Sequence, residues 1–133
     1  MSIARRQLGD GTTTLPKKLE ANIGPFLVVV EGAAVDGAAL PGGADVNFLG
    51  VTLEDGLSGE YRNIAVDGGI VPVTASAAIA RGVWVSVANA SGQIKAAAPG
   101  AGTNTFVLGK AMEAASAAGD VIGVLLAPGV MQG

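Results

Sequence analysis

The sequence predicts an all-β fold: a small β-barrel or β-sandwich built from two similar strand-hairpin units, with an extended N-terminal arm. Three observations carry this expectation. Apolar residues fall in strand-length runs or alternate at period two, as in Val83, Val85 and Val87 against Trp84, Ser86 and Ala88. The 21 glycines among 133 residues are about twice the usual share of roughly 7%. Finally, the phrase "NFLGVTLEDGLSGEYRNIAV" (47–66) returns as "TFVLGKAMEAASAAGDVIGVLL" (105–126).

The repeat is ordered. Leu49-Gly50 maps onto Leu108-Gly109, Leu53-Glu54 onto Met112-Glu113, Gly59-Glu60 onto Gly119-Asp120, and Ile64 and Val66 onto Val124 and Leu126. Upstream, each copy begins with a Val-rich strand, turns at a flexible pair (Asp36-Gly37, Ser91-Gly92) and reads Ala-x-Pro-Gly at 39–42 and 97–100. The units span about 24–66 and 82–126, within one domain over 21–133. Each is too short to stabilise itself, so the two are expected to share a core.

Within a unit the phrase reads as a hairpin. Gly50 and Gly109 sit inside strands, where glycine marks a bulge or a close backbone approach. Glu54 and Glu113 fall at the strand ends, and Gly59 and Gly119 permit the turn back. The segment "GIVPV" (69–73) reads as a strand whose proline belongs at an edge or a bulge. Ala111–Ala118 contains good helix formers and allows one helical turn, but its counterpart carries Thr52 and Gly56, which favour strand and turn. Residues 1–20 read as an extended arm, since "GDGTTTLP" has turn and β-forming residues without helical period.

Composition narrows the function. With no cysteine and no histidine, a thiolate metal site, a disulfide framework and the commonest general base are all excluded. The longest apolar runs, "FLVVV" (26–30) and "VIGVLLAPGV" (121–130), are strand-sized rather than membrane spans. The N-terminus has no apolar stretch of the kind a secretory signal needs. The net charge of −3 is uneven: residues 1–20 carry four cations against two carboxylates, and the remainder four against nine. A basic arm on an acidic body suits contact with an acidic partner surface.

Candidate chemistry is thin. Glu54, Asp55 and Glu60 lack the alternating oxygen-ligand spacing of a calcium loop and read as charges at a turn. "PGAGTNT" (99–105) lacks the Gly-Lys-Ser/Thr of a phosphate loop and leads into a strand rather than a helix. Asn89-Ala90-Ser91 fits the glycosylation pattern but reads as a turn. Neither Lys95 nor Lys110 has a serine at a telling spacing for a Ser–Lys pair. Nucleic-acid binding wants a basic face with interleaved aromatics, and an acidic domain with one Trp and one Tyr does not offer one. No catalytic residues, cofactor or metal are expected.

The elements "GGIVPVTASAAIARGVWVSVANASGQIKAAA" and "VLGKAMEAASAAGDVIGVLL" resemble the phage capsid cement, or head decoration, proteins. The family's glycine-and-valine patterns fall on Gly69–Val73, Ala77–Val85, Gly92–Ala96 and Gly109–Leu126, and the likeness covers about 24–127. One departure is visible: the family often places an aspartate after the glycine that Gly82 represents, and here Val83 follows. The resemblance implies a non-enzymatic virion protein on the outer capsid surface, made in the host cytoplasm. It would clasp neighbouring major capsid subunits as a homo-oligomer, a trimer in preference to a dimer. On that reading Arg5, Arg6, Lys17 and Lys18 are the expected partner-binding residues, pairing with capsid carboxylates while the arm adds along a neighbour's strand. The competing reading is a head-fibre base or a carbohydrate-binding β-module, for which only Trp84 and Tyr61 are candidate sugar platforms.

Overall fold

The computed structural model describes residues 11–133, and among them there is no helix. Ten strands form two sheets. β1 (Thr13–Leu19), β2 (Val28–Glu31), β3 (Gly37–Ala39), β4 (Gly50–Thr52) and β5 (Tyr61–Asp67) close into a barrel of order β1-β3-β2-β4-β5. β6 (Ile70–Thr74), β7 (Trp84–Val87), β8 (Ile94–Ala96), β9 (Asn104–Ala111) and β10 (Val121–Gln132) form the second sheet, order β6-β10-β9-β7-β8.

The two sheets have the same cyclic order once β1 is matched to β6, β2 to β7, β3 to β8, β4 to β9 and β5 to β10. Single contacts agree as well. Leu19 pairs in parallel with Ala38, and Ala75 with Ile94. Ile23 bridges Gly56, and Ile79 bridges Ala115. The structural unit is therefore longer than the repeat visible in the sequence. Residues 13–19, assigned above to the arm, are the first strand of the first barrel, and "GIVPV", assigned above to a joining segment, opens the second sheet. Pro16 and Pro72 occupy equivalent places, opposite Asn63 and Gly123. As expected, Pro72 lies in an edge strand.

The duplicated phrase forms a hairpin in both copies. β4 pairs antiparallel with β5 (Val51↔Ala65), and β9 with β10 (Ala111↔Val124). Gly59 and Gly119, both with φ of 92°, make the returning turn. The segment after β9 continues as turn and bridge, not as a helical turn.

Burial explains why the halves stay together. One core joins Val28, Val51 and Ala65 of the first unit to Val71, Val85, Ile94, Leu108 and Val124 of the second. Each of the Val, Ile and Leu side chains contributes about 1.5–3 kcal/mol when fully buried. A smaller core of Leu19, Ile23, Val29, Ala38 and Ile64 fills the first barrel. Backbone bonds stitch the same seam: Val28 N–H to Gly92 O (2.8 Å), Thr74 N–H to Phe26 O (2.9 Å) and Asp45 N–H to Val87 O (2.9 Å).

Candidate interaction surface

The expected partner-binding cations divide. Arg5 and Arg6 lie outside the described residues. Lys17 and Lys18 are held on β1, opposite Arg62 and Tyr61 of β5. Lys17 is turned inward: its Nζ lies 3.4 Å from Glu31 Oε1 and donates to Val35 O (3.2 Å), leaving 15% of the side chain exposed. It pins the β2–β3 loop, a role that a run of charges in the sequence does not reveal. Lys18 is exposed. Beside it, exposed Tyr61 donates its hydroxyl to Asp36 Oδ2 (2.5 Å). That hydrogen bond holds Asp36 below its ordinary value and Tyr61 above it.

Of the residues weighed above as metal ligands, Glu54 and Glu60 are engaged in the turns through their carboxylates, and Asp55 through its backbone carbonyl. Arg62 lies 3.6 Å from Glu54 and 3.0 Å from Glu60 and donates through Nε to Asp55 O (2.9 Å). Glu60 also accepts from the Leu57 N–H (2.7 Å), as Asp120 does from Ser116 (2.8 Å) in the second copy. Glu113 accepts from the Gly123 N–H (2.6 Å). Among the described residues no three His, Cys, Asp or Glu side chains converge as ion ligands.

Two further carboxylates hold loops. Glu20 accepts from the Ala33 and Ala34 N–H groups (2.9 and 3.0 Å), filling the space that Gly32 and Gly37 leave beside it. Asp45 ties the β3–β4 loop to the second sheet. Its N–H donates to Val87 O (2.9 Å), and its carboxylate receives Lys95 Nζ (3.0 Å) and the Thr105 hydroxyl (3.1 Å). Partial burial pushes Asp45 up, but these two donors outweigh it and hold the group below its ordinary value. The Ala34 N–H does the same for Glu20, and Ser116 for Asp120.

A pH dependence follows. For each of these four carboxyls the folded pKa lies below the ordinary value, 4.5 for Glu and 3.8 for Asp. The unfolded chain then binds more protons in the acid window, so this stabilisation is present above the unfolded pKa and is lost as pH falls through the folded one. Tm is expected to be level from neutral pH down to about 5 and to fall below it. Thermal melts across that range, repeated with Glu20→Gln, check this: the variant should lose part of the acid slope.

The second sheet exposes Trp84, Phe106, Val121, Leu125 and Val130. Trp84, Lys110, Leu125 and Ile70 are cross-strand neighbours in one row. Beyond it, β9 and β10 continue as a two-stranded ribbon past a register shift between Leu126 and Gly129, with Phe106 opposite Val130. A groove of about 430 Å³ beside the ribbon is lined by Trp84, Val107, Ala127, Pro128, Gly129, Val130 and Met131. Lys110 Nζ stands 6.0 Å from the centre of the Trp84 ring. Composition pointed to Trp84 alone; the strand-sized run at 121–130 with its internal proline was the available signal for the rest.

The comparisons with known proteins decide the family. A family model described as "Phage cement protein" matches residues 8–126. The chain belongs to the phage cement protein family. No curated protein matches this cement protein. Among solved structures, the head fiber gp8.5 N base of bacteriophage phi29 aligns with a TM-score of 0.66 at 15% identity, covering 87% of this chain and 94% of that one. At that identity the likeness establishes a shared fold. The family gives the cement protein a structural, capsid-associated role in the virion.

Proposed function

We propose that this protein decorates the outer face of an assembled phage shell and cements neighbouring major capsid subunits, without catalysing a reaction. The family match over residues 8–126 carries the reading. The surface chemistry supports it: the loops are fastened by Glu20, Asp45, Glu60 and Asp120, so little loop entropy remains to be lost on docking. The protein acts as a homo-oligomer, a trimer before a dimer, so several modest contacts reinforce one another through effective concentration. It is made in the host cytoplasm and joins shells there.

Arg5, Arg6 and Lys18 are the cations proposed to meet capsid carboxylates. Lys17 contributes by fixing the β2–β3 loop that flanks Lys18. A fibre-base role is the second reading, favoured by the fold shared with the phi29 fibre base. Purified protein mixed with expanded empty shells should co-sediment with them saturably. Failure to bind shells of the phage that encodes it would overturn the cement and fibre-base readings together.

A further inference from the structure

The ribbon offers something that the basic residues do not. β6 pairs with β10 only as far as Leu125, so Gly129–Gln132 have β9 on one side and, among the described residues, no strand on the other. An exposed strand edge is a template for another chain. Here the edge runs beside the apolar groove, and Val130 is 59% exposed upon it. The groove has no charged lining residue. The cation at its rim, Lys110, is exposed and forms no ion pair among the described residues. Most of the lining, Ala127 to Met131, also lies beyond the family match, which stops at residue 126.

We infer that the β10 edge and its groove receive an extended segment of the capsid protein that is apolar where it passes Trp84 and Val130 and carries a carboxylate where it passes Lys110. This inference rests on the shell-binding reading and names the surface that performs it. Backbone hydrogen bonds to the open edge supply affinity, and the apolar pocket with its single cation selects the segment.

The test uses the full-length protein and expanded shells in co-sedimentation. Val130→Asp places a negative charge on the apolar edge, and Lys110→Glu reverses the rim charge. Each is expected to weaken shell binding by at least about tenfold, while Lys110→Arg binds as the parent does. Melting curves establish that the variants are folded; should Val130→Asp not fold, the exposed Lys110 pair decides alone. Normal binding by Lys110→Glu or by folded Val130→Asp overturns the inference and leaves the shell-binding reading intact. So does loss of binding accompanied by a changed oligomeric state in analytical ultracentrifugation, since the edge would then join copies of this chain. A parent protein that does not bind shells defeats the underlying reading instead.

Discussion

Gly109→Ala should abolish folding. A Cβ at that position would lie 1.8 Å from Leu125 O and 2.9 Å from Ala127 N, both backbone atoms of the partner strand. No side-chain rearrangement relieves such a contact, so β9 and β10 would have to separate, and Leu108, Ala111 and Val124 of the shared core with them. The cost expected is above about 4 kcal/mol, the range reserved for breaking a specific structural device. Gly50→Ala is the matching change in the first barrel, where the Cβ would lie 2.2 Å from Ala65 O. Gly119→Ala provides the contrast, because nothing lies within 4 Å of its Cβ and only the left-handed backbone opposes it. That costs about 1–2 kcal/mol. Soluble yield and circular dichroism should rank parent, Gly119→Ala and Gly109→Ala in that order. A well-folded Gly109→Ala protein would mean that the strands are not packed backbone to backbone there.

Truncation should show a threshold between residues 10 and 18. A chain lacking 1–10 retains every described strand of the barrel and should fold. A chain lacking 1–18 loses β1, which pairs with β5 from Thr13 to Lys18 and with β3 at Lys18 and Leu19. Its loss opens the barrel beside Leu19 and Ile64, both in the small core. That protein should aggregate or keep only the second sheet ordered. The binding role of Arg5 and Arg6 is therefore tested by the shorter deletion, or by replacing both arginines, with shell binding as the readout. Equal stability of the two truncated chains would show that β1 is dispensable to the barrel.

The hairpin phrase was legible because its constraints are local. A glycine facing a neighbouring backbone and a glycine at a returning turn mark themselves in both copies. The equivalence of β1 and β6 was hidden although their pairing is the same. From Thr13 to Lys18, β1 is exposed or half-buried, so it tolerates Lys17 and Lys18. Val71, Pro72 and Val73 of β6 are buried, and the strand packs into the core that joins the halves. Hydropathy therefore diverged where topology did not. Period two sets Ser86 with Trp84 against the valines, yet Ser86 is buried as they are. The β3–β4 loop reaches across to its strand through the Asp45 N–H bond to Val87 O. The groove depends on Trp84 of β7 meeting the β9–β10 ribbon, and the run at 121–130 does not by itself announce that meeting.

Cementing, as distinct from mere attachment, is tested most directly by the temperature at which expanded, DNA-free shells come apart with and without saturating protein. Decorated shells should disassemble at a clearly higher temperature, by a margin that grows with occupancy and vanishes when the bound protein is removed. Shells that bind the protein yet disassemble at the undecorated temperature would contradict a cementing role and leave a fibre base as the better description.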